Sequence, residues 1–157
     1  MKTREFVENL PDLVRQQLPP ELEDFQTIAP MASLVKLHYG AKAVHYEVWV
    51  QSRKREVEVG LHFEGDPDSN LRNLTRLRQR RTNIQGALGP GVALEEWDKG
   101  WTRMHEIVPL EPLTMDFLVD VSFRLSKMIK TLEPLLRAGG GRAQEQGQHS
   151  GYTLRRP

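Results

Sequence analysis

The sequence has no cysteine among its 157 residues. Disulfide bonds, thiolate metal ligands and a cysteine nucleophile are therefore excluded, which agrees with a reducing compartment. No window approaches the ~20 consecutive apolar residues that span a bilayer. The first residues are amphipathic and lack the apolar core of a secretory signal. We accordingly expect a cytoplasmic protein that does not contact a membrane.

Recognised catalytic motifs are missing as well. The glycines of residues 86–91 surround Pro90 and lack the lysine–serine ending of a phosphate-binding loop. The sequence also has no nucleophile elbow, no zinc-protease helix and no strand with the acid-x-lysine pattern of restriction-type nucleases. These absences favour a non-enzymatic protein, and no cofactor is predicted.

The chain consists of one domain followed by a tail of different composition. Apolar residues make up 38% and charged residues 27%, with a formal net charge of +1, as is ordinary for a soluble globular protein. Residues 138–157 hold five glycines and almost no large apolar side chain, so burial cannot offset the entropy of ordering them. We predict one domain over residues 1–137 and a disordered tail over residues 138–157.

Three segments have the apolar spacing of helices. Residues 3–18 form the first, and Pro11 is expected to kink it or to start its second half. Asp66 opens the second as a capping residue. Its apolar stripe is Leu71, Leu74, Leu77, Ile84 and Leu88. Thr114 opens the third, which is expected to break near Pro134. Its inward residues are Met115, Leu118, Val121, Leu125, Met128, Ile129 and Leu132.

Apolar and polar residues alternate in other segments, as in strands with one covered face. The two best segments, 43–51 and 55–64, predict an antiparallel hairpin. A loop of four residues sets His45 opposite His62, whereas a loop of two sets His45 opposite Gly60. The hairpin residues expected in the core are Val48, Val57, Val59, Leu61 and Phe63.

The remaining segments complete the expected sheet. A strand begins at Ser33, and residues 93–97 and 101–108 form a second hairpin in which Gly100 takes the left-handed conformation. Residues 21–32 stay a connector that can hold a short turn of helix. The order α-β-β-β-α-β-β-α predicts a two-layer α+β fold, with helices on one face of a largely antiparallel five-stranded sheet.

Two resemblances to known families accompany this order. The element order of residues 3–136 is similar to that of type III secretion chaperones, which implies a dimeric adaptor without catalytic activity. The second resemblance rests on residues 45–49 (HYEVW), 58–64 (EVGLHFE), 84–89 and 96–97, and on the closing helix. These residues resemble an uncharacterised bacterial domain sometimes attached to nuclease or restriction modules, which implies a context related to nucleic acid.

The polar face of the sheet is the first candidate site. The residues expected on it are His38, His45, Glu47, Glu58, His62 and Glu64. Two His-x-Glu pairs on adjacent strands, His45 with Glu47 and His62 with Glu64, supply candidate ligands for zinc, manganese or iron. Neighbouring side chains on one face point roughly parallel, however, and only a bulge at Gly60 would help them converge. We therefore predict no tightly bound metal and a face that lies in water or against a second subunit.

Arginines of the second helix form another candidate site. Arg72, Arg76 and Arg80 repeat every four residues in a stretch, 71–94, that has no acidic residue. Such a ridge can bind nucleic-acid phosphates, and the alternative is a solvated helix face. Arg81 falls within the apolar stripe, where a buried arginine needs a carboxylate or a bound anion. A bend in the helix or a snorkelling side chain is the alternative.

Two tryptophans flank the turn of the second hairpin. We expect Trp97 and Trp101 to pack across the hairpin and cap the core, with base stacking or partner binding as the alternative. The sequence as a whole favours a non-enzymatic binding or adaptor module of the bacterial cytoplasm, a homodimer acting on a protein or nucleic-acid partner. The alternative is a metal-dependent enzyme or a ligand-binding protein that uses the His/Glu face.

Overall fold

The computed structural model describes residues 1–139, so nearly all of the predicted tail lies outside the described residues. The helices are α1 (Thr3–Gln16), α2 (Pro67–Gln79), α3 (Arg81–Leu88) and α4 (Met115–Ala138), with short 3-10 turns at Pro20–Leu22 and Asp98–Gly100. The strands are β1 (Gln26–Met31), β2 (Leu34–His38), β3 (Val44–Gln51), β4 (Glu56–Phe63), β5 (Ala93–Glu96) and β6 (Thr102–Pro109). Neighbouring strands run antiparallel in the order β1-β2-β3-β4-β6-β5.

The α+β class is confirmed, but the sheet has six strands where the sequence predicts five. The additional strand, β1, lies within the segment 21–32 that was expected to be a connector. Its residues are all exposed or half-buried, and its register with β2 shifts between Ile28 and Met31, next to Pro30. An edge strand held mainly by backbone hydrogen bonds leaves no hydrophobic alternation in the sequence, which is why it was missed.

The two central strands pair as predicted. The four-residue loop is the one formed, and it sets His45 opposite His62. The five core residues expected in this hairpin are all buried. Pairing continues without interruption through Gly60 on both sides of β4, so Gly60 marks no bulge. The second hairpin is present as β5 and β6, and Gly100 has a φ of 77°.

The hydrophobic core lies between one face of the sheet and the helices. A row of buried side chains crosses this face from β2 to β5: Leu37, Tyr46, Leu61, Met104 and Leu94. The Tyr46 hydroxyl donates to Glu133 of α4 at 3.2 Å, and Thr102 of β6 donates to the Asn70 carbonyl of α2 at 2.9 Å. The helices therefore cover this face, and the polar residues of the alternating pattern lie on the other.

Several details of the helices differ from expectation. Pro134 lies inside α4, which continues to Ala138, so the predicted break is wrong. Pro134 is exposed, and the backbone hydrogen bond that it omits belongs to the carbonyl of Lys130, another exposed residue. Met115 and Leu71, both expected to face inward, are 57% and 45% exposed. Within residues 1–139, no helix combines the length and the hydropathy needed to cross a membrane.

Candidate metal centre

Four polar side chains converge where β3 begins and β4 ends. The His45 and His62 rings stack with centroids 5.6 Å apart and planes 13° apart. Glu47 lies two residues further along β3, and Glu64 follows β4, where its N–H donates to the Ala43 carbonyl at 2.7 Å. One possible ligand atom from each of the four lies within 4.8 Å of the other three. The expectation that these side chains do not converge is therefore wrong.

Gly60 makes room for the convergence without a bulge. It stands opposite Glu47 in the ladder, so no side chain fills the position across from this carboxylate. A Cβ at Gly60 would lie 2.9 Å from the His105 Cβ and 3.3 Å from Glu58 Oε1. Glu47 instead places its Oε1 3.1 Å from His45 Nε2 and 3.4 Å from His62 Nδ1.

The four side chains are buried although the helices cover the opposite face. The exposed fraction is 0% for His62, 2% for His45, 5% for Glu47 and 14% for Glu64. Trp97 packs edge-on against His62 with ring centroids 5.5 Å apart. For these residues, the prediction of a face in water is wrong, because neighbouring side chains of the same chain exclude water. Contact of this face with a second subunit stays a prediction.

Hydrogen bonds orient both imidazole rings toward the centre of the cluster. His45 Nδ1 lies 2.9 Å from the Lys42 carbonyl, which can only accept, so Nδ1 carries the hydrogen and Nε2 faces Glu47. His62 Nε2 lies 2.7 Å from Glu58 Oε1 and donates to it. His62 Nδ1 is buried and makes no hydrogen bond, although carboxylate oxygens lie 3.3 Å and 3.4 Å away.

The carboxylates dominate the electrostatics of the cluster. Burial opposes charging of His62, but the adjacent Glu58, Glu64 and Glu47 outweigh it and raise the pKa of His62 to about 9. Burial likewise opposes ionisation of Glu58 and Glu64, yet neighbouring cationic groups, His62 first among them, lower the pKa of both carboxyls. Without a metal, the cluster therefore holds a proton on His62 between ionised acids.

A second layer of polar residues from β5 and β6 surrounds Glu58. Arg103 lies 3.3 Å from Glu58 and 2.7 Å from Glu95, and His105 Nε2 lies 2.9 Å from Glu95. Burial and the nearby Arg103 lower the pKa of His105. In the sequence, Arg103 and His105 stand out only as neighbours of the tryptophans. Their alternation on β6 indicates that both side chains lie on one face of that strand. It does not indicate that β6 pairs with β4, which is distant in the sequence.

The tryptophan pair is placed partly as predicted. Trp97 and Trp101 contact each other with centroids 5.8 Å apart. Arg103 lies over the Trp97 ring at 4.5 Å, so Trp97 covers the polar cluster and does not cap the apolar core.

The other sequence candidates lie away from the cluster. His38 is buried, and its Nδ1 interacts with the Gly40 carbonyl at 2.8 Å. Arg72 is exposed and Arg76 is half-buried. They line a shallow groove of about 470 Å³ with Asp68, Leu71 and Thr75.

The helix bends after these residues, which changes the two remaining arginine predictions. Arg80 has a φ of −109° and a ψ of 14° and separates α2 from α3, so Arg72 and Arg76 lie within α2 and Arg80 lies at its end. Arg81 begins α3 and is exposed, so it is not a buried anion-binding residue. The bend considered as the alternative is what the structure contains. Phosphate binding by Arg72, Arg76 and Arg80 stays a prediction.

Comparisons with known proteins found no matching family model, no matching curated protein and no matching solved structure. The resemblances to type III secretion chaperones and to the nuclease-associated domain stay predictions.

Proposed function

We propose that this protein binds one divalent transition-metal ion, with zinc fitting best, between His45, Glu47, His62 and Glu64. The observation that carries the proposal is the His62 Nδ1 atom, which is buried, faces two carboxylates and has no hydrogen-bond partner. Buried polar atoms nearly always have a partner. An ion at the centre of the four side chains would supply it.

The spacing of the four groups suits a tetrahedral ion. Zinc bonds nitrogen and oxygen at about 2.0–2.2 Å, which places neighbouring ligand atoms about 3.3–3.6 Å apart. His62 Nδ1 lies 3.3 Å from Glu64 and 3.4 Å from Glu47, and His45 Nε2 lies 3.1 Å from Glu47 and 3.8 Å from Glu64. The two Glu64 distances join different oxygens, Oε2 to His62 and Oε1 to His45, so the Glu64 carboxylate would have to turn to place one oxygen against both rings.

The hydrogen bonds behind the two histidines also match a metal site. Metal-binding imidazoles usually donate their second N–H to a carbonyl or a carboxylate, which fixes the tautomer and directs the free nitrogen at the ion. His45 makes this bond to the Lys42 carbonyl and His62 makes it to Glu58.

The charges of the face favour a divalent cation. The acids Glu58, Glu64 and Glu95 contact the permanent cations Lys36 and Arg103, whereas Glu47 contacts the two histidines. Four negative and two positive charges leave two negative charges to neutralise on a face where every counted acid except Glu95 is largely buried, and uncompensated buried charge is costly. One divalent ion with two neutral histidines meets this need. The competing explanation is that the histidines are protonated and no metal is bound, and an experiment must distinguish the two.

Four protein ligands favour holding the metal over catalysis with it. Catalytic zinc sites typically use three protein ligands and keep a fourth position for water, whereas structural sites are closed. Because the four residues here are buried, we infer a non-enzymatic, metal-binding module.

Metal analysis of the purified protein tests this function. Prepared without chelators and without a metal-binding tag, the protein should contain about one equivalent of zinc, manganese or iron. The double variant His45→Ala/His62→Ala should lose it, and the nearly isosteric Glu47→Gln should weaken it while circular dichroism shows an unchanged fold. His38→Ala is the matched control, because His38 is also buried on the sheet but lies outside the cluster.

The competing explanation has a distinct outcome. If the purified protein holds no stoichiometric metal, and the stripped protein shows no saturable binding of zinc, manganese or iron, the metal proposal is overturned. The cluster is then a network of protonated histidines and carboxylates.

A further inference from the structure

The outer face of α4 exposes an apolar strip. Seven large apolar side chains are exposed among residues 1–139, and three of them lie at four-residue intervals on this helix: Met115, Val119 and Phe123, at 57%, 45% and 52% exposure. Met1 is also exposed, and its amino group donates to the Leu113 carbonyl just before α4, at 2.7 Å. Clustered exposed apolar side chains are typical of interaction surfaces.

Charged residues divide the same face into two halves. Asp116 and Asp120 precede Phe123, and Lys127 and Lys130 follow it. Steps of four and three residues keep all five on one side of the helix. Within the described part of the chain, Asp116, Lys127 and Lys130 form no ion pair, and Asp120 pairs only with Arg124 of its own helix, at 3.1 Å.

This arrangement is complementary to itself when one copy is reversed. Asp116 lies seven residues before Phe123 and Lys130 seven after it, while Asp120 lies three before and Lys127 four after. A two-fold axis at Phe123 therefore brings each aspartate of one copy to the level of a lysine of the other, within about one residue rise of ~1.5 Å. A parallel pair would instead place aspartate beside aspartate and lysine beside lysine.

We propose that the chain forms a two-fold dimer in which α4 packs antiparallel against α4 of a second copy, with Phe123 at the axis. A closed two-fold contact uses the same patch on both subunits, as the symmetric charge pattern requires. The proposal uses no residue of the metal centre, so it stands or fails independently of metal binding.

Solution mass is the first test, by light scattering or sedimentation over a range of concentrations. The full chain should be dimeric, and Phe123→Ser should be monomeric with its thermal unfolding still cooperative. Met31→Ser is the matched control, because Met31 is 54% exposed on β1, away from α4, and this variant should stay dimeric. A monomeric wild type, or a dimeric Phe123→Ser, overturns the proposal.

The direction of packing is testable because the chain has no cysteine of its own. Asp116→Cys and Lys130→Cys variants, when mixed and treated with a short thiol-reactive cross-linker, should form a mixed cross-linked dimer. Each variant alone should cross-link poorly, because its two cysteines would be about 21 Å apart along the antiparallel pair. Efficient cross-linking of each variant with itself and none in the mixture would mean parallel packing and would contradict the proposal.

Discussion

Both faces of the central sheet are buried near its centre, but by different means. Leu61 on one face and His62 on the other are both 0% exposed. Helices α1, α2 and α4 cover the first face with apolar side chains. The second face is closed by its own long polar side chains and by Trp97. Alternation in a sequence therefore indicates which way a side chain points, and it does not by itself indicate exposure to water.

This difference has a chemical consequence. Apolar burial is favourable without any particular partner, whereas buried carboxylates and imidazoles need compensating charge and hydrogen bonds. On the polar face, ion pairs supply most of this compensation. The proposed metal would supply the missing partner of His62 Nδ1.

Truncating the apolar face should give the largest loss of stability. Leu61→Ala removes a fully buried side chain and should lower the free energy of unfolding by about 2–5 kcal/mol. Urea denaturation measures this, and the loss should be the same with zinc or with a chelator, because Leu61 points away from the cluster. Ile107→Ala, at a position that is 44% exposed, is the control and should cost far less.

Neutralising Glu58 should affect metal affinity first. Glu58→Gln keeps the shape but removes the charge that orients His62, and zinc affinity should fall about 10- to 100-fold. Calorimetric titration of the stripped protein measures this. The matched variant Glu95→Gln should change affinity little, because Glu95 contacts Arg103 and His105 and not His62. If Glu58→Gln and Glu95→Gln weakened zinc binding equally, the contact between Glu58 and His62 would have no special role in holding the metal.

Filling the gap at Gly60 should disturb the polar face specifically. A Cβ there would lie 2.9 Å from the His105 Cβ, so Gly60→Ala should destabilise the fold by about 1–3 kcal/mol. Adding His105→Gly removes the clashing atom and should restore part of the loss. Gly86→Ala, where a Cβ meets nothing within 4 Å, should instead stabilise α3 by about 0.5–1 kcal/mol. The measurement is thermal or urea unfolding of the three variants and the wild type.

The smallest expected effect comes from an acid on the helix-covered side. Glu106 stands opposite Val59 and lies 3.7 Å from Arg124 of α4, and burial raises the pKa of its carboxyl although Arg124 opposes the rise. The folded state then binds this proton more tightly than the unfolded state. Its stabilising contribution is full below the ordinary pKa of 4.5 and is lost as the pH rises through the folded-state value.

Glu106→Gln should remove that dependence. Subtracting the variant's unfolding free energy from that of the wild type should give a difference that falls as the pH rises above 4.5. A difference that instead rises as the pH increases toward 4.5 and stays level above it would show that the pair with Arg124 dominates.

The parts of the fold that could be predicted are those with one apolar face. Strict alternation identified β3 and β4, and the loop between them fixed His45 opposite His62 once its length was known. β1 left no signal because it is an exposed edge strand. Leu71 and Met115 continue the apolar periodicity of their helices, but they lie outside the part of each helix that packs against the sheet.

The candidate site was predictable in its members and not in its geometry. Two His-x-Glu pairs on adjacent strands named all four proposed ligands. Their convergence depends on the space left by Gly60 and on Glu58 holding His62, and neither contact follows from local spacing. The involvement of Arg103 depends on the β4–β6 pairing, which brings Arg103 to Glu58, 45 residues away in the chain.

Anomalous X-ray scattering from crystals grown with zinc tests the central claim most directly. The metal proposal predicts a single strong peak at the zinc edge on the polar face, about 2.0–2.1 Å from both His45 Nε2 and His62 Nδ1, with Glu47 and Glu64 completing the ligands. Ordered density for all four side chains with no anomalous peak between them would contradict it. The polar face would then be a buried network of ion pairs.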